Sequence, residues 1–246
     1  MEKKIFDRRQ SFCCKDGDIF RKYFKYGNKQ LAEHEGKYSR LYEKIGINTP
    51  HFVRTGFSEK FKLFFNEYCY INMIEFNLAT LDEGLFTKLL ELLNCVANLK
   101  FLPTDGVNFW NQHYKAGLTN ALNWLKKFVK IDERLLLERV YLQEVSVVMH
   151  GDFSLANMSF SDETLYLYDF ASAGCSPKWW DLGYMIASLP PSFGKKIYDM
   201  TNHDENLLAC VQLASAVKFG RGLRKCEEVA FRQNIFEYWS DLSLRR

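Results

Sequence analysis

The sequence predicts an α+β protein, with strands gathered in the first third and helices dominating the remainder. Two patterns carry this. Short aromatic and apolar runs punctuated by turn residues fill residues 11–68, while leucine-rich stripes at helical spacing begin near Leu81. The length of 246 residues, with only five prolines and no internal repeat, suits one compact domain or two lobes. The change of pattern near residues 67–80 divides the chain into a first lobe, 1–68, and a second, 69–246.

Each element has its own signal. Ser11-Phe12-Cys13-Cys14 and Ile19–Phe24 flank Lys15-Asp16-Gly17-Asp18, and Asp-Gly between apolar runs marks a hairpin because glycine accepts positive φ. Leu31, Tyr38, Leu41 and Ile45 fall at three- and four-residue spacing, predicting a helix from Lys29 to Ile45 that ends near Gly46. Strands are predicted over residues 51–57 and 60–68. Leu85, Leu89, Leu92, Leu93 and Val96 form the stripe of a helix running to about Leu99, broken by Pro103-Thr104-Asp105-Gly106. Residues 110–128 and 132–143 read as two further helices. Val145–Met149 and Leu165–Tyr168 are short apolar strands. From Trp180 onward the pattern is helical, with Pro190-Pro191 and Gly220-Arg221-Gly222 as punctuation.

Composition narrows the function classes. A net charge of +3, with bases and acids interleaved, gives no nucleic-acid footprint. No apolar run approaches the length of a membrane span, and MEKKIFDRRQ has no apolar stretch behind its charges, so neither a span nor a secretory signal is expected. Seven cysteines without a CxxC pattern read as reduced thiols, which points to the cytoplasm. Aromatics make up 16% of the chain, enough for a large core and for ring-lined pockets.

The chemistry concentrates in Val147-Val148-Met149-His150-Gly151-Asp152-Phe153-Ser154-Leu155-Ala156-Asn157 and Leu165-Tyr166-Leu167-Tyr168-Asp169-Phe170. Phosphoryl transfer needs a carboxylate to orient the attacking hydroxyl and accept its proton. It also needs oxygen ligands for a divalent cation that neutralises the phosphates. Asp152 follows one short strand and Asp169 ends the next. Asn157 lies between them on a segment that can turn back. Taken singly, each of these residues is an ordinary turn residue or helix cap. The joint pattern is what points to a site.

His150-Gly151-Asp152-(x4)-Asn157 followed by Tyr168-Asp169-Phe170 resembles the catalytic and metal motifs of the aminoglycoside phosphotransferase and choline kinase superfamily. These are small-molecule counterparts of HRDxxxxN and DFG in protein kinases. The resemblance implies a bilobal protein kinase-like fold, with a small antiparallel N-lobe sheet, one N-lobe helix and a mainly helical C-lobe. It implies Asp152 as catalytic base, Asn157 and Asp169 as Mg2+ ligands, and ATP as phosphoryl donor. Asp181, in Trp180-Asp181-Leu182-Gly183, resembles a later element that braces the catalytic loop.

In that family a strand lysine grips the ATP phosphates and a helix glutamate holds it. Lys22 is the lysine candidate, because alternation places it on one strand face with Phe20 and Phe24; Arg21 and Lys25 compete. Glu35 fits the helix partner, with Glu33 as alternative. Phe65-Asn66-Glu67-Tyr68-Cys69-Tyr70 resembles the hinge, where backbone groups from Glu67 to Cys69 would bond adenine. The family's Gly-rich phosphate loop has no counterpart here. Phe6-Asp7-Arg8-Arg9-Gln10 is expected as a shortened loop whose arginines contact phosphate, or as plain exposed charge.

The expected activity is therefore ATP- and Mg2+-dependent phosphorylation of a small-molecule hydroxyl on a sugar, an amino alcohol or a saccharide-biosynthesis intermediate. The missing glycines leave a nucleotide-binding regulatory module as an alternative. A protein kinase comes third, because Gly151 replaces the arginine and the segment after Asp169 is short. Trp110, His113, Tyr114, Trp124, Trp179 and Trp180 are candidates for an aromatic acceptor wall, or for core. The mixed charges of residues 126–144 disfavour a polycationic aminoglycoside.

Overall fold

The computed structural model describes residues 3–7, 11–25, 29–72, 74–75, 83–97, 115–141 and 145–242. The strands are β1 (Lys3–Asp7), β2 (Ser11–Asp16), β3 (Ile19–Phe24), β4 (Phe52–Ser58) and β5 (Leu63–Cys69), then β6 (Ile74–Glu75), β7 (Val145–Met149), β8 (Met158–Ser161), β9 (Thr164–Leu167) and β10 (Gly174–Pro177). The helices are α1 (Lys29–Lys44), α2 (Glu83–Ala97), α3 (Lys115–Leu125), α4 (Glu133–Tyr141), α5 (Trp180–Ile186), α6 (Pro191–Asp199), α7 (Glu205–Lys225) and α8 (Val229–Leu242). Chain contacts group these into two units. The first is Met1–Leu89 with Ala156–Ala173, and the second is Leu90–Leu155 with Gly174–Arg246.

The first unit is built on an antiparallel sheet in the order β1-β2-β3-β5-β4. Its β2–β3 hairpin closes through Gly17, whose φ of +60° a residue with a Cβ rarely adopts. Phe6 and Asp7, expected in a loop, instead belong to β1 and pair with Cys13 and Phe12. Residues 8–10 join β1 to β2 and lie outside the described residues. One sheet face buries Phe12, Cys14, Tyr23 and Phe65, with the Phe12 and Tyr23 rings stacked at 4.8 Å. Alternation turns Lys22, Asn66 and Tyr68 to the other face, where α1 packs. There Asn66 Nδ2 donates to Ala32 O at 2.9 Å, and a Cβ at Gly36 would meet the Phe52 ring at 2.5 Å.

The same unit holds a smaller sheet, β6-β8-β9, in which Met158 pairs with Leu167. Leu167 N donates to Asn48 O at 2.9 Å, and the Phe170 ring meets Tyr42 of α1 at 4.8 Å. His34 Nε2 lies 2.7 Å from Ala173 O. Residues 156–173 are thus fastened to α1 and the chain that follows it, although the sequence separates them by more than a hundred residues.

The second unit packs helices around α7, which is buried along most of its length and contacts α3, α4, α5 and α8. Leu118, Leu122, Leu125, Met149, Trp180, Tyr184, Cys210, Leu213 and Val217 form its core. β7 leads directly into the His150–Asp152 segment and pairs antiparallel with β10, which follows residues 156–173 of the first unit. Pro190 and Pro191 open α6, as their punctuation suggests, but Gly220-Arg221-Gly222 does not interrupt α7. The reason is close packing: a Cβ at Gly220 would sit 2.1 Å from Ala121 O, so glycine lets α3 and α7 approach. Trp110, His113 and Tyr114 lie outside the described residues, whereas Trp180 is fully buried core. No helix among the described residues is long and apolar enough to cross a membrane.

Candidate functional site

Lys22 projects from β3 onto the α1 face of the sheet. Its Nζ donates to Glu35 Oε2 at 2.8 Å and to Asp169 Oδ1 at 2.8 Å. Burial alone would lower the lysine pKa, but the carboxylates of Asp169 and Glu35 outweigh it and hold the ammonium above its ordinary value. Glu35 is only 2% exposed, and burial raises its pKa against the pull of Lys22. Its other oxygen, Oε1, accepts from the Tyr68 hydroxyl at 3.1 Å. Two of the competing residues are committed elsewhere. Arg21 Nε donates to Glu67 Oε2 at 2.7 Å, and Glu33 pairs with Lys29 on the exposed side of α1.

Asn157 and Asp169 flank the open end of the β8–β9 hairpin. Asn157 closes a 3-10 turn just before β8, and its carbonyl accepts from Tyr168 N at 3.1 Å. Asp169 follows at φ 68° and ψ 62°, a left-handed conformation that few residues other than glycine adopt. It caps the 3-10 turn Phe170–Ser172, and Phe170 anchors that turn on Tyr42. Strained backbone of this kind persists only where its surroundings enforce it.

The donor chemistry of Asn157 and Asp169 fits a hard cation. An amide and a carboxylate oxygen suit Mg2+, which retains waters and takes its remaining ligands from phosphates. Among the described residues no cluster of three or more His, Cys, Asp or Glu side chains could cage a metal by itself. A softer ion such as zinc has no such cage there.

Asp152 lies in the second unit, after β7. Gly151 takes φ +84°, turning the chain sharply before it. Asp181, buried at the start of α5, fixes this turn: Oδ2 accepts from His150 N at 2.6 Å and Oδ1 from Gly151 N at 2.9 Å. Burial raises the Asp181 pKa, opposed by His150 and by the two amides. The Asp152 amide donates to His150 Nδ1 at 3.3 Å. The Tyr184 hydroxyl hydrogen-bonds Asp152 and itself accepts from Arg221 Nη1 at 2.9 Å. Lys218 Nζ lies 3.7 Å above the Tyr184 ring. Sequence reading passed over Tyr184, Lys218 and Arg221. The only signal was the i, i+3 spacing of Lys218 and Arg221, hidden by the flanking glycines.

In the segment expected as a hinge, part of the backbone is already engaged. Glu67 sits inside β5 between paired strands β3 and β4, and Cys69 N donates to His51 O at 2.9 Å. That N–H is not available to an adenine ring. Burial would raise the Glu67 pKa, but Arg21 and Arg54 outweigh it and hold the carboxyl low, so Glu67 serves the sheet. The chain leaves β5 only at Tyr70, whose N donates to Asp18 O at 2.7 Å.

Residues 96–213 match the model of the phosphotransferase enzyme family, APH. Among solved structures, the GDP complex of wild-type aminoglycoside 2'-phosphotransferase-IIIa superposes with a TM-score of 0.64 at 16% identity, over 98% of this chain and 93% of that one. The fold is that of the kinase-like phosphotransferases. Amicoumacin kinase hAmiN, in complex with AMP-PNP, Ca2+ and Ami, matches with a TM-score of 0.64 at 14% identity, over 96% of this chain and 88% of that one. A choline/ethanolamine kinase family protein from Mesorhizobium loti matches at 0.59 and 12% identity, covering 98% of this chain and 87% of that one. No curated protein matches by sequence. The matched segment 96–213 contains the whole run from His150 to Asp181.

Proposed function

We propose that this protein transfers the γ-phosphoryl group of ATP, with Mg2+, to a hydroxyl of a small molecule. The carrying observation is the ammonium of Lys22, held at 2.8 Å from both Glu35 and Asp169, a charge-paired cluster built from three separate chain segments. Lys22 binds the nucleotide phosphates and Glu35 fixes its position. Asn157 and Asp169 hold Mg2+, which when bound neutralises phosphate charge. Asp152 accepts the proton of the acceptor hydroxyl. As that oxygen bonds to the γ-phosphorus, the bond from phosphorus to the β–γ bridging oxygen breaks and ADP leaves. Asp181 supports the turn that carries Asp152, and Tyr184 hydrogen-bonds it.

The acceptor class is a sugar, an amino alcohol or a saccharide-biosynthesis intermediate. With all seven cysteines free, we place the protein in the cytoplasm. The test is Asp152→Asn, measured as acceptor-dependent ADP release. Turnover falls roughly 10²–10⁴-fold while Mg-ATP binding by thermal shift is retained, since a general base contributes about that much. Undiminished turnover would remove Asp152 from the role. A second reading, a non-catalytic nucleotide-binding module, draws on the Arg8-Arg9-Gln10 connector where glycines are usual; it expects the Mg-ATP shift and no ADP release with any acceptor.

A further inference from the structure

The buried polar groups behind Glu35 form a chain to which the phosphotransfer reading gives no task, and all of it lies in the first unit. Thr55 Oγ1 donates to Asn66 Oδ1 at 2.8 Å. Asn66 Nδ2 donates to Ala32 O at 2.9 Å and to the Tyr68 hydroxyl at 3.4 Å, and that hydroxyl donates to Glu35 Oε1 at 3.1 Å. Glu35 Oε2 in turn accepts from Lys22 Nζ at 2.8 Å. We propose that Tyr68, braced by Asn66 and Thr55, is a positioning residue for nucleotide binding, acting through Glu35 to keep the Lys22 ammonium aimed at the phosphates. The inference rests on the phosphotransferase reading in taking Lys22 as the phosphate grip, and adds what fixes that grip.

The directions of these bonds follow from donor and acceptor chemistry. A backbone carbonyl only accepts, so Ala32 O faces the Asn66 amide nitrogen, and Oδ1 then faces the Thr55 hydroxyl. The second amide proton points to the Tyr68 oxygen, which leaves the tyrosine proton for Glu35. Burial, with the Glu35 carboxylate beside it, pushes the Tyr68 pKa well above its ordinary value, so the hydroxyl remains a donor. Strand register explains the placing. Asn66 pairs with Lys22 of β3 and Thr55 of β4, and two residues on Tyr68 pairs with Phe20 and Phe52. Residues 66 and 68 share one sheet face, so Asn66 reaches the α1 backbone one turn before the carboxylate that Tyr68 reaches. The Tyr68 ring stands edge-on to Phe52 at 5.5 Å and lies 6.3 Å from Phe20, so packing holds it in place. Buried polar chains are costly unless their members are satisfied, and this one runs toward the carboxylate that holds Lys22. Asp169, the other carboxylate on Lys22, is assigned to Mg2+, so Glu35 is the anchor that the lysine keeps.

The experiment measures binding of Mg-ATP and of adenosine to the full chain by calorimetry, for wild type, Tyr68→Phe, Glu35→Gln and the double variant. Tyr68→Phe keeps the ring and removes one hydroxyl. It should weaken Mg-ATP binding roughly tenfold, the low end for a hydrogen bond to a charged group. Adenosine, which offers Lys22 no phosphate, should bind as before. In the Glu35→Gln background the same change should weaken Mg-ATP by at most about twofold, because its route to Lys22 is already broken. A merely structural role predicts the opposite, a loss shared by adenosine and two substitutions that add. Thr55→Val, at the partly exposed end of the chain, is the second variant should Tyr68→Phe fail to fold. Mg-ATP binding roughly threefold weaker with adenosine unchanged is expected of it, the scale of one neutral hydrogen bond. The proposal is overturned if the folded variant binds Mg-ATP as wild type does, if adenosine weakens as much as Mg-ATP, or if the loss persists in full without the Glu35 carboxylate. A wild-type chain that binds Mg-ATP no better than adenosine would count against the phosphotransferase reading itself and overturn both.

Discussion

Lys22 Nζ lies 2.8 Å from Glu35 Oε2, joining β3 to α1 through an ion pair whose acid is almost wholly out of solvent. Asp169 meets the same ammonium at 2.8 Å, so one lysine balances two carboxylates drawn from distant parts of the sequence. Burial raises the Glu35 pKa, and Lys22 and the Tyr68 hydroxyl oppose that rise.

Replacing Lys22 by Met therefore leaves a buried carboxylate without its cation. The expected loss of stability is about 3–5 kcal/mol, measured by urea denaturation. The double variant Lys22→Met with Glu35→Gln should recover a large part of that loss. A single-variant loss below about 1 kcal/mol would mean that the pair contributes no more than a surface salt bridge.

Asp169 should separate folding from metal-dependent binding. Asp169→Ala removes one partner of Lys22 and one hard oxygen donor, while Glu35 still holds the ammonium. Calorimetry with and without Mg2+ should show that magnesium no longer improves nucleotide affinity, and the fold should be retained. Unchanged magnesium dependence would take Asp169 out of the metal site.

Asp181 holds two amides, and its loss should be felt in two ways. Asp181→Ala leaves His150 N and Gly151 N buried without an acceptor, each worth about 1–3 kcal/mol. Thermal or chemical denaturation should register the sum. Turnover should also fall, because the φ +84° turn at Gly151 that aims Asp152 loses its support. Asp181→Asn, which keeps a single acceptor oxygen, should lie between wild type and Asp181→Ala on both measures.

Much of the site could be read from the chain because its signals are local. The hairpin at Asp16-Gly17, the alternation that turns Lys22 to one face, and the paired short strands ahead of Asp152 and Asp169 are all short-range patterns. What escaped was long-range. The sequence does not place Lys218 and Arg221 near Tyr184, since that contact needs α5 and α7 packed together. Gly220 misled in the same way. In isolation it breaks a helix, but in the fold it admits the backbone of Ala121. Nor does the sequence show that β5 runs on to Cys69, whose N–H is bound to His51 O.

Gly220 also yields a prediction opposite to helix propensity. In an exposed helix interior, Gly→Ala gains about 1 kcal/mol. Here the added methyl would lie 2.1 Å from Ala121 O, a backbone atom that cannot turn aside. Gly220→Ala should destabilise by about 2 kcal/mol or more as α3 and α7 are forced apart. Denaturation curves settle the sign. A stabilised variant would show that the two helices do not cross as closely as this.

Lys218 gives the pH dependence. Its pKa lies near 7 in the folded protein and at 10.5 in the unfolded chain, with burial the first cause. Between these values the unfolded chain binds the proton more readily, so stability rises with pH across that window. Above 10.5 neither state is protonated and the penalty is gone; below 7 both are, and it is present in full. Lys218→Met removes the titration. The variant should be more stable than wild type at pH 7, and the difference should shrink steadily toward pH 10. Parallel stability curves for the two proteins from pH 7 to 10 would show that Lys218 titrates normally.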